Sequence, residues 1–112
     1  MLLKTIINEL GLEVKTDSGS ITNEVTGAYV SDLLSDVIAN SEAGNIWITL
    51  QLHPNIIAVA TLKELAGIIL VNNRQPEQET LKKAQEEQIP LMTTELSAFQ
   101  LAGKLYKLIG GC

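Results

Sequence analysis

The chain has 112 residues, of which 46% are hydrophobic and 19% charged, and its formal net charge is −5. That length fits one compact domain with a core of its own, and the composition excludes a disordered chain. The longest apolar runs, Ile56–Ala60 and Gly67–Val71, fall far short of a membrane span. An acidic balance without any basic cluster excludes nucleic acid as the main partner, because affinity for it rests on neutralising phosphates.

The opening MLLKTIINELGLEV is not read as a signal peptide. Lys4, Asn8 and Glu9 interrupt its apolar run, and no small-residue cleavage site follows. Leu2, Leu3, Ile6, Ile7 and Leu10 instead recur at helical spacing, with Gly11 placed as a C-cap. Leu12–Lys15 reads as a short strand and Thr16–Ser20 as a turn. Ile21–Glu24 leads into a second strand, Val25–Val30. Ser31 and Asp32 then offer N-cap side chains to a helix that carries Leu33, Leu34, Val37 and Ile38 on one face and ends near Asn40.

After the turn Ala43-Gly44-Asn45, the run Ile46–Leu52 reads as a strand. It breaks at His53-Pro54-Asn55 and resumes as an apolar helix with the proline in its first turn, where a missing N–H is tolerated. A hairpin through His53-Pro54-Asn55 ranks second, since the spacing of Ile56, Val59 and Ala60 favours helix. Ile68–Val71 is apolar without alternation, as expected for a strand covered on both faces. Glu77–Gln88 reads as a helix with a mostly solvated face, laced by Glu–Lys pairs at i,i+4. Pro90 stops it, Leu91–Thr93 is a short strand, and Thr94 or Ser97 caps the last helix, where Ser97 and Gln100 have the capping-box spacing. The pattern predicts a single α/β domain over residues 1–112, a mostly parallel sheet with helices on both faces.

In such a sheet the strand ends share one edge, where ligands bind. That edge gathers Ser31 and Asp32, then Thr49, Gln51 and His53, then Asn72, Asn73 and Arg74, then Thr93 and Thr94. Helix N-termini there add donors suited to an anion. Ser, Thr, Asn and Asp also stand at strand ends merely to cap helices and make turns, and a histidine beside a proline is commonly a loop residue. Gln51 needs a partner if buried, and Arg74, the only arginine, is the natural partner of an anion. Trp47 reads first as core and second as an aromatic platform for a base or a dimer partner. No phosphate-binding loop, nucleophile elbow or dinucleotide fingerprint is present, and one histidine with one terminal cysteine, Cys112, makes no metal site or disulfide. Neither a cofactor nor a metal is expected, and the cysteine usage suits the cytoplasm.

The segments NEVTGAYVSDLLSDVIAN, GNIWITLQLHPNIIAVA and LAGIILVNNRQPEQET give the chain its resemblance to the DRTGG domain family, and the likeness runs over nearly its whole length. The family's Thr-Gly step stands here as Thr26-Gly27. Glu24, Val25 and Ala28 depart from the eponymous residues, whereas YVSDLLSDV is intact. The resemblance implies a regulatory or interface domain of the kind found between nucleotide-binding CBS domains of certain pyrophosphatases, beside some phosphotransacetylases, and similar to the N-terminal domain of HPr kinase/phosphorylase. It does not imply kinase activity, because the phosphate-binding loop of the kinase half is lacking.

The expectation is therefore a non-catalytic module that binds a small anionic metabolite or nucleotide through Ser31, Asp32, Thr49, Gln51, His53, Asn72, Arg74 and Thr94, and that serves an enzyme partner. The alternative is an interaction module without a small-molecule ligand. An acid–base enzyme built on His53 and Asp32 ranks third. A homodimer is expected from the wide apolar arc of the last helix (Phe99, Leu101, Ala102, Leu105, Tyr106, Leu108 and Ile109), with that helix or the Trp47-bearing sheet face in the contact. Gly103 within it suggests close backbone approach, and packing under the N-terminal helix is the alternative cover.

Overall fold

A computed structural model describes residues 1–16 and 20–110, so part of the expected Thr16–Ser20 turn and Cys112 lie outside the described residues. Five helices and five strands follow in the order α1 (Leu3–Leu10), β1 (Glu13–Val14), β2 (Gly27–Val30), α2 (Leu34–Asn40), β3 (Asn45–Thr49), α3 (Asn55–Lys63), β4 (Gly67–Leu70), α4 (Gln78–Glu87), β5 (Leu91–Thr93) and α5 (Ala98–Leu108), with a 3-10 turn at Ser20–Thr22. The fold is α/β. Its sheet has the order β1-β5-β4-β3-β2, with β2 to β5 parallel and β1 antiparallel to β5. No helix among the described residues is long and apolar enough to cross a membrane.

The alternation of side chains along the central strands divides the core in two. Ile46 and Ile48 of β3, Ile69 of β4 and Met92 of β5 pack with Leu3 and Ile6 of α1 and Leu101 and Leu105 of α5. Trp47, Ile68, Leu70 and Leu91 point the other way, onto Val37 of α2, Ile56, Ile57 and Ala60 of α3 and Ala84 of α4. Every residue of β3, β4 and β5 is buried, which explains why these strands read as continuous rather than alternating runs. The helix after His53-Pro54 forms as expected, with Pro54 at the N-cap, and the hairpin alternative does not occur.

At the N-terminal end of β2 and β3 the chain is knotted by side chains. Thr26 Oγ1 donates to the Ala43 carbonyl (2.9 Å), and Asn45 Nδ2 donates to Thr26 Oγ1 (3.2 Å). Gly44 has φ +85°, and a Cβ there would come within 2.7 Å of the Thr26 side chain, so this position requires glycine. The Thr26-Gly27 step thus serves strand registration, at the sheet end opposite the predicted ligand edge.

Several local expectations are corrected. On α2 only Val37 is fully buried, while Leu33 (64% exposed) and Ile38 (40%) face outward because β2 is the sheet's edge and offers that helix little cover. Trp47 is core, as first read: it is fully buried and donates from Nε1 to the Ser31 carbonyl (2.7 Å). On α5, Leu101 and Leu105 are buried and Ala102, Leu108 and Ile109 pack against the α1-side core, so much of the apolar arc is satisfied within the chain. Gly103 marks no close approach: a Cβ there would meet nothing within 4 Å. Because that exposed helical position gains nothing from glycine, Gly103→Ala should raise stability by about 1 kcal/mol. The expected reading is a higher urea midpoint with an unchanged slope.

Candidate functional site

The C-terminal ends of β2, β3, β4 and β5 form one edge, as parallel pairing requires. Asp32, just past β2, does not cap α2. Its Oδ1 accepts from Thr49 Oγ1 (2.8 Å) and from the Leu50 N–H (2.7 Å). Thr49 Oγ1 in turn accepts from the Gln51 N–H (3.1 Å), and Gln51 Nε2 donates to the Asp32 carbonyl (2.8 Å). The three side chains tie the β2–α2 connection to the end of β3. Ser31 Oγ accepts from the Leu33 N–H (3.2 Å) and so makes the turn that admits α2.

Asp32, Gln51 and His53 line one cavity of about 430 Å³ together with Leu50, Leu52, Arg74 and Glu77. His53 Nδ1 accepts from the Asn55 N–H (3.0 Å), which leaves Nε2 to carry the proton of the neutral ring. No hydrogen bond joins His53 to Asp32. The N-terminus of α3 is already occupied: the N–H groups of Asn55, Ile56 and Ile57 bond to His53 Nδ1, the His53 carbonyl and the Pro54 carbonyl. Anion affinity there would rest on side chains rather than on that helix end. Arg74 is exposed, and its guanidinium has no hydrogen bond or ion pair with another described residue.

The remaining predicted residues lie elsewhere. Thr49 is buried beneath the cavity as the link between Asp32 and Gln51. Asn72 and Asn73 both have positive φ (58° and 55°) and form, with Val71 and Arg74, a turn closed by the Arg74 N–H on the Val71 carbonyl (3.2 Å). Asparagine tolerates that conformation better than most residues. Thr94, Thr93 and Asn73 line a different, larger cavity of about 880 Å³ between α1, β1, β5 and α5, with Glu9, Glu13, Glu95, Lys104 and Lys107 on its walls. Sequence reading marked none of these five charged residues as a site candidate. Neither the antiparallel docking of β1 beside β5 nor the face on which α5 packs has a local sequence signal. Among the described residues no three His, Cys, Asp or Glu side chains gather as a metal site.

An edge of converging parallel strands, with helices layered on both faces, defines a small α/β domain; a further concavity of about 430 Å³ runs along β2 from Thr26 to Val30 beneath Ala102, Tyr106 and Ile109 of α5. The chain belongs to the DRTGG domain family, whose model matches residues 5–108. No curated protein matches it. Among solved structures it is similar to the CBS and DRTGG domains of the regulatory region of Clostridium perfringens pyrophosphatase, a structure complexed with the activator diadenosine tetraphosphate. The two superpose with a TM-score of 0.74 at 19% identity, over 93% of this chain and 45% of that one. The chain thus spans less than half of that neighbour, and the likeness is one of fold.

Beside the cavity, α2 is fastened to β2 through Asp36. Tyr29 Oη donates to both of its carboxylate oxygens (2.9 Å each), and Asn40 Nδ2 donates to Oδ1 (2.9 Å). The Ser31 hydroxyl, then Tyr29 and Asn40, hold the Asp36 carboxyl below its ordinary range, and the same carboxylate raises the Tyr29 phenol. A carboxyl lowered in the folded state adds stability that is complete above its unfolded pKa and lost as pH falls through the folded one. In a carboxyl-carbon NMR titration Asp36 should titrate below the usual aspartate midpoint, and Tyr29→Phe should move it upward.

Proposed function

We propose that this chain is a non-catalytic regulatory domain that binds a small anionic ligand, a nucleotide or phosphorylated metabolite, at the C-terminal edge of its sheet, and passes the bound state to an enzyme partner in the cytoplasm. The observation that carries the reading is Arg74, a guanidinium without a partner among the described residues, beside a cavity shared with Asp32, Gln51 and His53. Arg74 and the His53 Nε2–H would donate to phosphate oxygens. The second Asp32 oxygen and Gln51 Oε1 would accept from hydroxyl or amino groups, a division suited to a nucleotide. Asp32 and Glu77 oppose a purely anionic ligand, and the chain's net charge of −5 gives no long-range attraction, so affinity would be local and sensitive to salt. Membership in a domain family represented in a regulatory region that takes a nucleotide activator supports the same direction.

Thermal shift against AMP, ATP, diadenosine tetraphosphate, acetyl phosphate and sugar phosphates tests this. A ligand at about a hundred times its Kd should stabilise by roughly 2.7 kcal/mol. Arg74→Ala, an exposed substitution, should abolish the shift while leaving the unliganded Tm within a degree or two. No shift with any of these compounds at about 1 mM would overturn the reading.

A second reading, self-association through α5, is favoured by Phe99 and Tyr106, which are 89% and 64% exposed on one helix. Large exposed aromatics are enriched at interfaces. Sedimentation equilibrium at micromolar concentration should show a dimer that Phe99→Glu with Tyr106→Glu converts to monomer. A wild-type monomer would leave α1 and α5 covering each other as the full account of the apolar arc.

A further inference from the structure

We infer that β2 is the pairing strand of a two-fold dimer: a second copy of this chain lays its own β2 antiparallel beside the first, and the two sheets run on as one. The inference rests on the self-association reading and adds to it the strand that makes the contact. The sheet has two edges, and they are unlike. β1 is two residues long and carries Glu13, ion-paired with Lys15 (3.0 Å), so charge guards that edge against a further strand. β2 reads Gly-Ala-Tyr-Val, and no charged residue or proline stands between Val25 and Ser31. From Gly27 to Val30 it has β3 on one side and no strand on the other.

The exposed apolar side chains gather at the same edge. Among the described residues five large hydrophobics are at least half exposed. Val30 ends β2, Leu33 follows just after it, and Phe99 and Tyr106 belong to α5, the helix that lies over β2 and β3; only Leu62 of α3 stands elsewhere. Ala28 and Val30 are level with Ile46 and Ile48, which pack in the α1–α5 core, so both point to the α5 side of the sheet. There they line the concavity that Ala102 and Tyr106 overhang. Phe99 lies two helical turns before Tyr106, on the same face of α5.

A second copy covers strand and helix by one operation. An antiparallel ladder centred on Tyr29 sets Ala28 of each copy opposite Val30 of the other, with both side chains on the α5 side. Strands lie about 4.8 Å apart, so a two-fold axis half a spacing beyond β2 brings the two α5 axes to about 10 Å, the distance of packed helices. Phe99 and Tyr106 then pack across the axis, whereas an isolated peptide strand would cover β2 and leave them in water. Covering these aromatics and the strand edge removes roughly 500 Å² from each copy, about 1,000 Å² in all, which a specific interface needs. Val25–Ser31, Phe99, Ala102 and Tyr106 carry no charge, so two chains of net charge −5 meet there without opposed carboxylates.

The experiment joins sedimentation equilibrium to intersubunit NMR. Val30→Lys, at a half-exposed position, should raise the dissociation constant of the dimer at least about tenfold while circular dichroism shows the fold retained. Leu62→Lys, exposed on α3 away from β2, should leave that constant unchanged. In a sample mixed from carbon-13-labelled and unlabelled wild-type chains, isotope-filtered NOEs should connect Ala28 of one copy with Val30 of the other. A wild-type monomer would overturn this inference together with the self-association reading. A dimer indifferent to Val30→Lys, or one whose intersubunit NOEs join α5 to α5 alone, would overturn the strand pairing and leave self-association through α5 standing.

Discussion

The arrangement of this domain depends on the direction in which its connections step along the sheet. From β2 to β5 each strand is laid beside the last, always on the same side. A right-handed crossover that repeats its step returns each helix to the same face. So α2, α3 and α4 share one layer, and the other face of four strands is left open. The chain covers it from both ends: α1 arrives before the parallel strands begin and α5 after they finish. Two helices over that face leave β2 poorly covered, and Val30 at half exposure is the visible consequence.

The same constraint decides what was legible in the sequence. Apolar runs such as Ile68–Val71 and Ile56–Ala60, bounded by Gly67 or His53-Pro54, announce buried strands and a buried helix through composition alone. The capping box at Ser97 and Gln100 is local chemistry and reads directly, with Ser97 Oγ accepting from the Gln100 N–H (3.2 Å). The face on which α5 lands is different in kind. It is a global property of strand order, and nothing in AFQLAGKLYKL states it. Locating the Arg74 cavity needed only that parallel strand ends share an edge. The larger one is walled mainly by α1, β1, the end of β5 and α5, whose mutual placement no local pattern states.

Asp32 shows a subtler limit. A Ser-Asp pair before an apolar helix reads as two alternative caps, and Ser31 does make the local turn. The Asp32 carboxylate instead crosses to the next strand and accepts from Thr49 and Leu50. That role depends on parallel register, with Val30 opposite Ile48, which places the residues after the two strands side by side. Thr80 is of the same type: within a helix that reads as solvated, it is buried and donates its hydroxyl to the Leu52 carbonyl, tying α4 to the connection after β3. Polar residues of this kind look like surface in one dimension and become fasteners in three.

The family's eponymous segment is divided from the Arg74 cavity and the larger one by the length of the strands, and itself lines the concavity between β2 and α5. Thr26 and Gly27 act at the beginning of β2, where Thr26 is locked against Ala43, Gly44 and Asn45, whereas the Arg74 cavity and the larger one open near the C-terminal strand ends. At that edge the turn from Val71 to Arg74 is the shared element. Its two left-handed asparagines reverse the chain so tightly that Asn73 lines the larger cavity and Arg74, the next residue, lines the smaller one. The Asn72 and Asn73 N–H groups bond to the carbonyls of Leu96 (2.9 Å) and Thr94 (2.7 Å), so the turn is pinned to the β5–α5 connection.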